Sequence, residues 1–216
     1  MTNFLSNNNF SVYIQPGIPA QVSPCPDQHV GIYNKSGFKY LPSRINIDYQ
    51  KSLSGALSIV NQLNNPVVII LESPHIEEFK VPLGPAKGTT GRLFENGIHN
   101  FHTLIQRSTI YSTISSFFNI DIIFINAVQF QCSLGNKLNK ANTIIRDNNW
   151  IQAFNNGFSQ DVVDRIKAIN PISVINLCTK GYLNMQLLLH EVVKVYTPYT
   201  FGTHPSTWNF AYARIF

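Results

Sequence analysis

Asn65-Pro66-Val67-Val68-Ile69-Ile70-Leu71-Glu72-Ser73-Pro74-His75 decides how this chain is read. Its centre is five aliphatic residues in a row, four of them β-branched, with no polar alternation. That pattern describes a strand buried on both faces. Asn-Asn-Pro opens the run and Glu-Ser-Pro closes it, so it is too short for a core helix. Doubly buried strands belong to parallel sheets, whose crossover connections lay helices on both sides.

The same alternation extends outward. Residues 122–128 and 172–177 read as further buried strands, and 192–196 as a fourth. Helical periodicity marks 52–63, where Leu53, Ala56, Leu57, Val60 and Leu63 share a face. It also marks 91–106, 160–169 and 181–191. Residues 136–150 are polar and read as a loop. Pro16, Pro19, Pro24, Pro26 and Pro42 break residues 1–50 into an irregular segment packed on the core, with short strands at 10–14 and 31–41. The expectation is one α/β domain over 51–216, with a four-stranded, mostly parallel sheet flanked by helices. There is no internal repeat.

Composition narrows the class. Of the 216 residues, 44% are hydrophobic and 12% aromatic, which excludes a wholly disordered chain. Sixteen Lys and Arg against eleven Asp and Glu leave a net charge of +5, compatible with a polyanionic partner. No apolar run approaches the roughly 18 residues of a membrane span. Residues 1–10 lack a basic start and an apolar block, so no secretory signal is read and a cytoplasmic location is expected. Cys25, Cys132 and Cys178 are odd in number and widely spaced; they suit buried free thiols rather than a metal or iron–sulfur site. Neither GxxxxGK[ST] nor GxGxxG is present, which disfavours a nucleotide-binding protein.

In parallel α/β sheets ligands bind beyond the carboxyl ends of the strands. Three segments put polar groups there: Leu71-Glu72-Ser73-Pro74-His75, Phe124-Ile125-Asn126-Ala127-Val128 and Thr203-His204-Pro205-Ser206. In this order they resemble the uracil-DNA glycosylase superfamily over roughly residues 67–208. That family has a strand followed by a Gly-x-x-Pro turn, which is degenerate in this chain, then a strand ending in Asn, then His-Pro-Ser. Gly84-Pro85-Ala86-Lys87-Gly88-Thr89-Thr90-Gly91 resembles the glycine-punctuated loop of the thermophile-type branch, without that branch's iron–sulfur cysteines.

The resemblance implies a monofunctional glycosylase that flips a base from duplex DNA and hydrolyses its N-glycosidic bond without metal or organic cofactor. His204 would donate to the departing base's O2. Asn126 would read the pyrimidine edge with its donor and acceptor. Ser73 stands where many members carry a water-activating Asp, so the acid must come from Glu72 first, Glu77 or Glu78 second, with Asp147 as an outside candidate. His75 replaces the Tyr that blocks the pyrimidine C5 position, and Ala86-Lys87 falls where a stacking aromatic is usual. Both changes open the pocket to a bulky 5-substituent, such as the glucosylated 5-hydroxymethylcytosine of phage DNA that some members excise in bacterial defence.

Trp208 would be the wedge filling the gap in the base stack. Thr89, Thr90, Lys87, Arg92 and Ser206 would contact phosphates. Lys35, Lys39, Tyr40 and Arg44 would belong to an extra wall over the site. The partner expected is double-stranded DNA and the protein a monomer. Two alternatives stay open: a repair enzyme for uracil or a deaminated base, and an inactive member that binds DNA or protein.

Overall fold

Strand β3 (Val67–Leu71) is buried along its whole length, as a five-residue aliphatic run between two parallel neighbours must be. A computed structural model describes residues 24–49, 59–79, 83–107, 111–112, 116, 119–132, 140–196, 199–202 and 204. β3 pairs in parallel with β4 (Asn119–Asn126) on one side and β5 (Ser173–Asn176) on the other. β6 (Tyr199–Phe201) continues the parallel set beyond β5. An antiparallel hairpin, β1 (Gln28–Asn34) and β2 (Gly37–Asn46), extends the sheet past β4, giving the order β2-β1-β4-β3-β5-β6. The chain leaves β3 toward β4 on one side and then returns to β5 on the other. That reversal opens a crevice at the carboxyl end of β3.

The pleat divides the aliphatic residues between two cores. Val67, Ile69 and Leu71 of β3 join Ile120, Ile122 and Phe124 of β4 beneath α1 (Thr89–Asn96) and α2 (Ile98–Arg107). Val68 and Ile70, with Ile123 and Ile125, face α3 (Lys140–Ala153), α4 (Ser159–Ile169) and α5 (Met185–Val193). α4 ends on Asn170 in the left-handed conformation, followed by Pro171, which cannot continue a helix.

Several expectations are corrected here. The sheet has six strands rather than four, because residues 28–46, expected to hold one short strand at 31–41 within an irregular segment, contribute two. The prolines misled: Pro42 falls in the register break of β2 between Tyr40 and Ile45, on the sheet edge, where a missing N–H costs no pairing. The run 31–41 is split by a turn at Lys35 and Ser36 into Gly37, whose φ is +104°. Residues 192–196 are not the fourth strand. Val193 continues the buried α5 stripe of Met185 and Leu189 at helical spacing, and the last parallel strand is Tyr199–Phe201. Residues 140–150 of the expected loop belong to α3, whose inward face is partly polar: Arg146, Asp147 and Asn149 are buried beside Trp150. An apolar period cannot reveal such a helix.

The helix expected over 91–106 is two, broken at Gly97. The helices near 160–169 and 181–191 are present as α4 and α5, the latter beginning at Met185 after a turn. Most of the helix expected at 52–63 lies outside the described residues, and Ile59–Gln62 forms a short turn. The expected strand at 10–14 also lies outside them.

Candidate functional site

β3, β4 and β6 deliver their polar residues to one edge, and the pleat sends them to different faces. Asn126 pairs with Leu71 at the last step of the β3–β4 ladder and shares the parity of Ile122 and Phe124, so it turns toward the α1–α2 side. Glu72, one residue beyond Leu71, shares the parity of Val68 and Ile70 and turns toward α3.

On the α3 side Glu72 is buried. Its carbonyl accepts from Trp150 Nε1 at 2.9 Å and from the Val128 N–H at 3.1 Å, which fixes the turn after the strand. Its carboxylate lies 3.3 Å from Arg146 Nε and also meets Ser73 and Thr179 side chains. Burial pushes this carboxyl up, and the Arg146 guanidinium and both hydroxyls work against the rise. Arg146 is itself held by Asp147: Nε and Nη2 donate to Oδ1 at 3.0 and 2.6 Å. The other Asp147 oxygen accepts the N–H groups of Tyr182 at 2.6 Å and Leu183 at 3.2 Å. One carboxylate therefore ties α3 to the loop between β5 and α5. His204, after β6, feels the same guanidinium. Part of its surface remains accessible, yet loss of solvent around the ring and the positive charge of Arg146 lower its pKa to about 4. At neutral pH it is an uncharged imidazole with one N–H to give.

The α1–α2 side carries a second cluster. Glu78 sits on the short turn Ile76–Phe79, which is closed by its own N–H to His75 O at 2.8 Å. Burial raises its carboxyl to about 8, against opposing bonds from the Ala86 backbone and the Asn126 side chain, with Arg44 also opposing and Glu72 adding to the rise. The group is mostly neutral at pH 7 and carries a proton it can donate. Asn126 Nδ2 lies 3.8 Å from Cys25 Sγ. Asn126 Oδ1 and Glu78 Oε2 are buried and have no hydrogen-bond partner among the described residues. Unpartnered buried oxygens cost roughly 1–3 kcal/mol each, so an acceptor and an acid are held here at a cost.

Other expected residues fall at the rim. Ala86 is buried with φ +51°, and Arg44 holds that turn, Nη1 donating to Pro85 O at 2.6 Å. Gly91 packs against it so closely that a Cβ there would run into Ala86 O. Arg44 also lies over the Tyr40 ring at 5.6 Å. Lys35 and Lys39 are exposed. Lys87 is half-buried and donates to Leu83 O at 3.1 Å; desolvation and Arg44 lower its pKa. His75 is exposed, its Nδ1 accepting the Glu77 N–H at 3.4 Å, and Glu77 is exposed beside it. Thr89 and Thr90 begin α1, with Arg92 exposed one turn on. Ser206 and Trp208 lie outside the described residues.

Three features were not read from the sequence. Arg146 and Thr179 complete the Glu72 cluster, and neither belongs to a motif. Behind Asn126, fully buried Arg165 donates to Asp27 Oδ2 at 2.7 Å and Asp161 Oδ2 at 2.8 Å. It also donates to the carbonyls of Asn126 at 3.0 Å and Ala127 at 3.2 Å. The spacing Asp161 to Arg165, one helical turn, was the visible hint. Asp27, which also accepts from Tyr49 OH at 2.6 Å, was not legible.

The three cysteines are buried and free, with thiol pKa values pushed up by burial. Among the described residues no cluster of His, Cys, Asp and Glu is arranged to hold a metal ion. No helix among them is long and apolar enough to cross a membrane. No family model, curated protein or solved structure matches this chain.

Proposed function

We propose that this chain is a monofunctional DNA glycosylase, hydrolysing the N-glycosidic bond of a flipped-out, 5-modified pyrimidine and leaving an abasic site. The observation that carries the reading is the convergence of Glu72, Asn126 and His204 at one sheet edge, with Arg146 linking Glu72 to His204 and Glu78 joined to Asn126. In the reaction the bond from C1′ to the ring nitrogen breaks and its electron pair leaves with the base. Neutral His204 donates a hydrogen bond to the base's O2 as negative charge gathers there. Glu72, beside Arg146 at the end of β3, accepts a proton from the water whose oxygen bonds to C1′. The released base takes its balancing proton from solvent.

The Glu78–Asn126 pair favours a cytosine-type edge. A neutral Glu78 offers a donor to N3 and Asn126 Oδ1 an acceptor to the exocyclic amine, whereas uracil presents the opposite pattern at both atoms. Exposed His75 and small Ala86 are consistent with room for a 5-substituent. Glucosylated 5-hydroxymethylcytosine in phage DNA is therefore the preferred substrate, with antiviral defence as the role, duplex DNA as the partner, a monomer as the acting unit and the cytoplasm as its place.

The test is base release from duplexes carrying cytosine, uracil, 5-hydroxymethylcytosine or its glucoside, with abasic sites revealed by alkali. Release from the glucosylated duplex, abolished by His204→Ala, is the expected result. Release from the uracil duplex instead makes the protein a repair enzyme. No release from any duplex makes it a binding protein.

A further inference from the structure

The loop 83–86 beside the Glu78–Asn126 pair is pinned to the hairpin by two side chains. Gln28 Nε2, on β1, donates to Leu83 O at 2.8 Å, and Gly84 lies so close that a Cβ there would overlap the Gln28 amide. Arg44, half-buried on β2, spreads its guanidinium over the next turn: Nη1 donates to Pro85 O at 2.6 Å and Nη2 to Ala86 O at 3.4 Å. Ala86 is left-handed, with φ +51°, and Gly91 packs against its carbonyl with no room for a methyl group. An alanine keeps that conformation only where its surroundings impose it, and the paired guanidinium bonds do so here. Held in this way, the Ala86 N–H reaches the Glu78 carboxyl, which also takes the Asn126 amide. Glu78 Oε2 is buried with no hydrogen-bond partner among the described residues, so both bonds fall on Oε1. In a neutral carboxyl the oxygen that accepts two N–H groups is the carbonyl, and the other is the hydroxyl.

We propose that Arg44 is a positioning residue for Glu78: by holding the Ala86 turn, the hairpin fixes the carboxyl so that its proton stands on Oε2, available to a bound base. The use of that proton in a reaction rests on the glycosylase reading; the hold of Arg44 on Glu78 does not. The charged and titratable groups facing Glu78 are Arg44 from β2, Glu72 at the end of β3, and Cys25 ahead of β1, with Lys87 beyond the thiol. Arg44 alone among them grips the turn that delivers the Ala86 N–H.

The pH dependence of the full chain tests this, because a brace that only supports the fold would not move a titration. The Arg44 charge and the Ala86 N–H both favour the ionised form of Glu78, so without them the proton is kept to higher pH. In Arg44→Met the upper end of the alkaline fall in denaturant stability, and the midpoint of the fall in base release, should move up by about one pH unit or more. Arg44→Lys keeps the charge without the paired bonds and should move both by less. In the Glu78→Gln background neither substitution should move the pH dependence. An unmoved fall in every Arg44 variant that folds overturns the proposal, and so does an equal shift in the Glu78→Gln background. The stability measurement needs no chemistry: a shift there, with no base release from any duplex, supports the hold on Glu78 and removes the glycosylase reading alone.

Discussion

Glu72 and Asn126 stand one register step apart at the ends of adjacent parallel strands and turn to opposite faces of the sheet. The consequence is a divided site. One face holds Glu72, Arg146 and Asp147 joined side chain to side chain, with His204 in the field of the guanidinium; the other holds the neutral acid Glu78 and the amide of Asn126. In the proposed reaction a flipped base lying across the sheet edge would meet the Arg146 cluster on one side and the Glu78–Asn126 pair on the other.

Removing the two groups assigned to the base tests this division. His204→Ala and Asn126→Ala should each lower base release by roughly a hundredfold or more, measured under single-turnover conditions. Unchanged rates in both variants would remove the site.

Glu78 makes the protein sensitive to alkali. Its carboxyl is raised from 4.5 to about 8 in the folded state, so the native chain holds a proton that the unfolded chain has lost. The stabilising contribution is complete below about pH 4.5 and disappears as pH climbs to about 8. Glu78→Gln keeps a neutral donor and should flatten that slope. Between pH 5 and pH 9 it should gain about 4 kcal/mol relative to the wild-type chain in denaturant titrations. Base release should fall through the same range in the wild-type chain and less in the variant.

Arg146 should control His204 from a distance. Because the guanidinium helps hold the imidazole near 4, Arg146→Met should raise the His204 pKa, read by NMR titration of the ring protons. The same change strands Glu72 and Asp147 without a buried counter-charge, and should cost roughly 3–5 kcal/mol. An unshifted His204 would show that loss of solvent alone sets its pKa.

Arg165 is the keystone behind Asn126. Arg165→Met leaves Asp27 and Asp161 facing each other unneutralised and removes two donors from the β4 turn, for an expected loss of about 3–5 kcal/mol. Adding Asp27→Asn and Asp161→Asn should recover part of it. A single variant as stable as the wild-type chain would contradict the network.

Gly91→Ala probes the loop over the second cluster. A methyl group there collides with Ala86 O, and Ala86 already occupies a left-handed turn, so the 83–88 loop must shift. Thermal unfolding should register a loss of more than about 1 kcal/mol. A neutral result would mean that the loop yields freely.

The aliphatic run 67–71 determined by itself that the chain builds a sheet with parallel neighbours at its centre, because only a strand covered on both faces needs no polar alternation. The local turns likewise announced that Glu72 and Asn126 reach the carboxyl edge, whereas His204 was expected after a strand at 192–196 and is brought there by the pairing of Tyr199–Phe201 with β5. Tertiary structure decided the rest. The hairpin 28–46 joins the sheet only because β4 offers it an open edge, and α3 is a helix whose buried face is polar, invisible to any hydrophobic period. Arg146 and Arg165 acquire their roles from carboxylates distant in the chain. A buried charge is tolerated where opposite charges and hydrogen bonds meet it, and that condition is set by packing rather than by neighbouring residues.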